Sequence, residues 1–127
     1  MAEFTDYMEN KIIDHLLRAQ SYTPGTIYLA LFTAAPGEAG GGTEVSGGSY
    51  ARQAVTLAAA SGGASSNSAD ITFPTATADW GTITYCALMD ASTSGNMLMY
   101  TALDASKTVN NGDTLKFSSG DLDVAVD

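Results

Sequence analysis

The sequence predicts a mainly β protein: about eight antiparallel strands in a sandwich of jelly-roll or immunoglobulin-like kind, preceded by one N-terminal α-helix. Three observations carry this expectation. Apolar residues recur at helical spacing within the first twenty residues. From Thr26 onward the period becomes two. The apolar runs are short and separated by turns rich in Gly, Ser and Asn, the spacing of an all-β domain.

Residues 3–20 read as the helix. Phe4, Met8, Ile12 and Leu16 recur every four residues, and Tyr7, Ile13 and Leu17 widen the stripe. Glu3, Asp6 and Glu9 crowd the first turns and Arg18 lies near the end, as the helix macrodipole favours. Thr23-Pro24-Gly25 then breaks the helix. The chain thus divides into a helical arm at 1–20 and a β domain at 26–127, within one structural domain. The stripe on the arm requires cover, from the β domain of its own chain or from a neighbour.

Thr26 to Thr33 is apolar on both faces, as in a central strand. Residues 34–49 form a Gly-rich connection longer than compact domains commonly use, flexible or ordered by a partner. Tyr50 to Ala58 reads as a second strand, 59–68 as a small-residue loop, and Asp70 to Phe73 as a short strand ended by Pro74. Thr82 to Met89 is a strong strand with Ile83, Tyr85, Ala87 and Met89 on one face. Met97 to Leu103 follows, then a short strand at Lys107–Val109. Asn110-Asn111-Gly112-Asp113 has the residues of a hairpin turn. Leu115–Phe117 and Leu122–Val126 close the chain, with Leu122, Val124 and Val126 inward and Asp121, Asp123 and Asp127 outward.

Composition excludes several function classes. Five basic against 14 acidic residues give a net charge of −9. Nucleic acid requires a basic footprint, so none is expected as a partner. Anionic lipid would repel the chain, and no apolar stretch is long enough to span a bilayer. The acidic start Met1-Ala2-Glu3-Phe4 has no basic and apolar signal pattern, so synthesis and folding in a cytosol are expected. The single cysteine, Cys86, sits in an apolar run and reads as a small buried hydrophobe.

Catalytic constellations do not assemble. The sole histidine, His15, lies toward the polar side of the predicted helix, and no serine occupies a G-x-S-x-G elbow. The glycines at 40–48 are followed by no helix, so they make no phosphate cradle. Asp121-x-Asp123 with Asp127 offers oxygen ligands but no EF-hand loop, and no metal or cofactor is assigned. Met89, Met97 and Met99 read as core. Trp80 is expected in the core, with an exposed hot spot as the alternative. Arg52 stands in a strand short of charge, as a rim ion pair or as an anchor between subunits.

The run Gly-Thr-Glu-Val-Ser-Gly-Gly-Ser-Tyr-Ala-Arg-Gln at 42–53, with Phe-Pro-Thr-Ala-Thr-Ala-Asp-Trp-Gly at 73–81, resembles a family of small tailed-bacteriophage virion proteins. That family is commonly labelled tail fiber protein, and the likeness extends from Lys11 to Val126. The resemblance implies a structural component of the phage particle, without a catalytic or metal site. Capsid cement or decoration, as trimers on the shell, fits the same kind of protein, and a tail fibre or baseplate component is the other role. A lectin-like module, with Tyr50, Trp80 and Tyr100 as a sugar platform, is a third reading on fold analogy.

The expected partners are other virion proteins, the major capsid protein or tail proteins, and further copies of the chain. The expected contact residues are Phe4, Met8 and Ile12 on the arm and Glu44, Tyr50 and Arg52 beside the long loop. Deleting 38–48 is expected to leave a folded monomer that no longer joins the particle.

Overall fold

The computed structural model describes residues 3–126. Strand β1 (Glu3–Phe4) leads into helix α1 (Asp6–Leu17), and the rest of the chain is β. In order follow β2 (Ile27–Ala34), β3 (Thr43–Glu44), β4 (Gln53–Val55), β5 (Ala64–Ser66) and β6 (Ile71–Thr72). The last four are β7 (Gly81–Met89), β8 (Met97–Val109), β9 (Lys116–Phe117) and β10 (Asp123–Ala125). The expected mainly β architecture with an N-terminal helix is present, and every strand pairing is antiparallel.

The large sheet runs β1-β8-β7-β2-β3, with β4 also on β2. Two ribbons, β10–β5 and β6–β9, supply a second layer. Leu29 and Leu31 of β2 and Cys86 and Leu88 of β7 share a core with Ile71, Phe73, Trp80 and Leu122 from the ribbons and their connections. The alternate residues Ala30, Phe32, Ala87 and Met89 form a second cluster with Met97 and Tyr100. Successive side chains of a strand point to opposite faces, so β2 and β7 are apolar on both. Phe73, Leu29, Leu31 and Ile83 are fully buried. Each contributes roughly 2–3 kcal/mol by removal from water.

Several local expectations are corrected. The helix begins at Asp6, because Thr5 is extended (φ −80°, ψ 160°) and caps it. Phe4 therefore sits on β1, paired with Met99, and does not head the helical stripe. Ile83 does not share a face with Tyr85, Ala87 and Met89. The register jumps from Ile83↔Lys107 to Tyr85↔Ala102, and the bulge turns Ile83 toward the face of Cys86 and Leu88. The segment at Lys107–Val109 is the far end of β8. The Asn110–Asp113 turn forms, with Gly112 at φ 93°. It is no hairpin, because β8 pairs with β7 and β9 with β6.

The expected 50–58 strand shrinks to Gln53–Val55. The expected loop at 59–68 contains β5, paired with β10. Val126 is 59% exposed, so only Leu122 and Val124 of the closing strand turn toward the core. Asp127 lies outside the described residues.

Candidate docking surface

The six residues expected at a contact fall into two clusters with different chemistry. The first, Glu44, Tyr50 and Arg52, is built by the edge of β2. Strands β3 and β4 pair with that same edge at its two ends, through Phe32↔Glu44 and Leu29↔Gln53. Leu31 lies between them, where neither strand reaches its N–H. The Tyr50 hydroxyl fills the gap, accepting from Leu31 N at 3.0 Å and donating to Glu44 Oε2 at 2.7 Å. Arg52 then closes the neck of the excursion, with Nε and Nη2 each 2.8 Å from the Glu44 carboxylate oxygens. Its Nη1 donates to the carbonyls of Ala91 and Ser94, both at 2.8 Å, and so pins the β7–β8 turn.

All three guanidinium nitrogens of Arg52 are engaged, and its side chain is only 8% exposed. The ion pair with a nearby carboxylate expected for Arg52 is present, but it is largely buried within the fold and does not lie at a rim. Burial pushes the Glu44 pKa up, but the bonds from Arg52 and Tyr50 and the Arg52 charge outweigh it, and the net direction is down. Burial and the Glu44 hydrogen bond push the Tyr50 phenol up. A carboxylate held ionised and a phenol held protonated are both poorly matched to proton transfer near neutral pH. The cluster is a structural latch.

The long loop is ordered by its own chain. Val45 enters the core, Val45 N donates to Leu31 O, and Gly48 O accepts from Trp80 Nε1 at 2.9 Å. Deleting 38–48 would remove Glu44, Val45 and Gly48 together, so the deletion would not leave the folded monomer expected from sequence. Trp80, 5% exposed, packs edge-on to Tyr50 and Phe73 as a core plug. Tyr100 belongs to the other cluster and donates to Glu3 Oε2 at 2.9 Å, which pushes its phenol up to about 12. Tyr50, Trp80 and Tyr100 therefore make no common stacking platform. Burial pushes the Cys86 thiol up to about 12, the state of an inert structural cysteine.

The second cluster is Phe4, Met8 and Ile12, and it faces a groove. Thr5 is buried and anchors α1 to the sheet: its Oγ1 donates to Met97 O at 2.6 Å and accepts from Met8 N at 3.4 Å. Phe4, Tyr7 and Met8 pack partly against the core. Between α1 and the β5–β10 ribbon lies an open groove of about 440 Å³, lined by Phe4, Met8, Ile12, Leu16, Val124 and Val126 among others. Ile13 is 50% exposed, Leu16 69% and Leu17 80%, so the wide stripe read from sequence is covered on one side only.

The sequence reading placed Asp6 and Glu9 in the first turns of the helix but missed the carboxylate that joins them. Asp6, Glu9 and Glu38 are exposed, with carboxylate oxygens within 4.8 Å of one another. The charge of Glu9, and then that of Asp6, pushes the Glu38 pKa up. Glu38 arrives from the long loop, held by Asp6 N donating to Glu38 O at 2.9 Å. No sequence spacing signals that meeting. The acidic residues weighed at the C-terminus do not assemble likewise: Asp121 Oδ2 accepts from Ser118 N as a turn cap. His15 is exposed, its Nδ1 3.1 Å from Gln20 O.

No curated protein matches the chain. A family model does match, over residues 3–125, from β1 to the end of β10. That span contains the latch, both clusters of the core and all of the groove lining except Val126. The family is that of fibre proteins of short-tailed phages, which are virion components. The chain belongs to the family described as podophage GP4 fiber I protein gp80.

Proposed function

We propose that the chain is a non-enzymatic structural unit of a phage tail fibre, joined to further virion proteins, copies of itself included, by docking surfaces. The observation that carries this reading is the family match over nearly the whole chain. The geometry agrees with it. The polar groups with shifted pKa in the Glu44–Tyr50–Arg52 cluster are spent on holding the fold, while the exposed apolar surface gathers on one helix. Association of the chain with copies of itself is part of this reading, with a trimer as one form it can take.

The test is antibody labelling of intact particles in the electron microscope, with quantitative mass spectrometry of purified virions. Label at the tail and a copy number in the tens or below is expected. Label over the head with hundreds of copies would replace this reading with capsid cement. The compact two-layer body, without a stem among the described residues, is what favours that alternative. Absence of the chain from purified particles would end both.

A further inference from the structure

We propose that Asn111–Gly112 is a site of covalent self-modification, at which the Asn111 carboxamide converts to aspartate and isoaspartate, and that the fold locks the reaction by holding the Gly112 N–H on the Ala76 carbonyl. The chemistry is internal to the chain and does not depend on where the chain sits in a particle.

Among the asparagines Asn10, Asn67, Asn96, Asn110 and Asn111, Asn111 alone precedes a glycine. Glycine puts no Cβ beside its own nitrogen and lets the backbone turn freely there. In the reaction the Gly112 nitrogen gives up its proton and attacks Cγ of Asn111. The new C–N bond closes a five-membered succinimide, and the Asn111 amide nitrogen leaves as ammonia. Water then opens the ring at one carbonyl to give aspartate or at the other to give isoaspartate. No oxidant, reductant or cofactor is consumed. Asn111 and Gly112 are both exposed, and a Cβ placed at Gly112 would meet nothing within 4 Å. Room for the ring and access for water are therefore present.

What restrains the reaction is the turn itself, because the N–H of every one of its residues donates. Asn110 N donates to Asp113 Oδ2 at 2.9 Å and Asn111 N to Asp79 Oδ1 at 2.8 Å. Gly112 N donates to Ala76 O at 2.7 Å and Asp113 N to Asn110 O at 2.9 Å. The last bond, with Gly112 at φ 93°, is the pattern of a type II turn. Such a turn sets ψ of the residue before glycine at about +120°, which rotates the Gly112 nitrogen away from the Asn111 side chain. Ring closure needs the 111–112 peptide to swing back, and that swing breaks the bond to Ala76. Ala76 is buried and returns a bond of its own, from Ala76 N to Asp113 O at 2.9 Å, so its carbonyl stays in place. The reaction is thus confined to molecules in which the turn has opened. Conversion also has a structural consequence. Isoaspartate lengthens the backbone and adds a negative charge beside Asp79 and Asp113, so this clasp does not re-form. The segment it holds leads directly to Trp80, whose N–H donates to Val109 O at 2.8 Å.

The experiment incubates the full chain in mildly alkaline buffer, native and in concentrated urea, and follows deamidation at each asparagine by peptide mass spectrometry. The unfolded chain is expected to convert at Asn111 before any other asparagine. It is expected to do so faster than the native chain by on the order of tenfold or more, a ratio set by how rarely the turn opens. Asp79→Ala frees the Asn111 N–H and is expected to raise the native rate several-fold while leaving the rate in urea unchanged. Asn111→Gln keeps the backbone bonds and is expected to abolish conversion at this position. Native chain converted in this way, isolated by ion exchange on its added charge, is expected to melt at a lower temperature with altered Trp80 fluorescence. Equal rates in the native and unfolded wild-type chain overturn the lock, and so does a folded Asp79→Ala chain that converts no faster than wild type. An unfolded chain that converts first at another asparagine, or at none, overturns the site. Converted chain that melts as the original does overturns the role given to the clasp.

Discussion

The Tyr50 hydroxyl does the work of a missing strand residue. It sits where β3 ends and β4 has not begun, and it serves the Leu31 N–H and the Glu44 carboxylate together. Tyr50→Phe leaves that buried N–H without a partner and should cost about 1–2 kcal/mol in urea unfolding. Arg52→Ala removes the charge that pairs Glu44 and frees the carbonyls of Ala91 and Ser94. A loss of about 3 kcal/mol is expected, larger than for Tyr50→Phe. An unchanged midpoint for Arg52→Ala would mean that the latch holds nothing.

Glu44 also fixes a pH dependence. Its folded pKa is depressed, so its contribution to stability is full above the ordinary glutamate range and is lost as pH falls through the folded value. Glu44→Gln should lower stability at pH 7 and flatten its decline in acid. Glu38 has the opposite sign: its folded pKa is raised, so its charge costs stability at neutral pH and that cost disappears on protonation. Glu38→Gln should raise the melting temperature at pH 7 and change little in acid. Melting curves from pH 3 to 7 check both directions. From sequence, Arg52 was legible as a residue awaiting a carboxylate. Which carboxylate, and the role of Tyr50, depended on a gap in strand pairing that only the folded sheet creates.

Among the elements, α1 depends on a single side chain. Thr5 caps the helix and bonds to the Met97 carbonyl within the sheet. Thr5→Ala should destabilise by about 2 kcal/mol, and Thr5→Ser should recover most of the loss because it keeps the hydroxyl. Equal damage from both would point to the methyl group's packing instead. Strands β2 and β7 were legible because they are long and apolar on both faces, which leaves no other solution than the centre of a sheet. Strand β5 was not, because Ala64, Ser65 and Ser66 carry little strand preference and are held by β10 from the far end of the chain. The stripe of α1 was visible as a period, but its division into a seated side and an open side was set by the β5–β10 ribbon. The meeting of Glu38 with Asp6 and Glu9 required the long loop to fold back onto the helix.

For the whole molecule, both ends of the described chain are tied into the body. Phe4 pairs within the large sheet and Leu122 enters the core beside Leu29 and Cys86. Trp80 lies in that same core. Arm and β domain should therefore melt as one unit: Trp80 fluorescence and far-ultraviolet circular dichroism should give coincident transitions. A helical signal lost well before the fluorescence change would show an arm that folds independently. The fold class was legible because alternation is a property of the whole sequence. The pairing order was not, because it joins residues nearly a hundred positions apart, as Glu3 joins Tyr100.

The central claim is that this body is a fibre component held by its helical face. A side-chain-resolution cryo-electron microscopy reconstruction of the particle tests it directly. The account predicts density for the two-layer fold at the tail, with Ile13, Leu16 and Leu17 covered by another polypeptide. Density confined to the head shell, or at the tail with that face open to solvent, would contradict it.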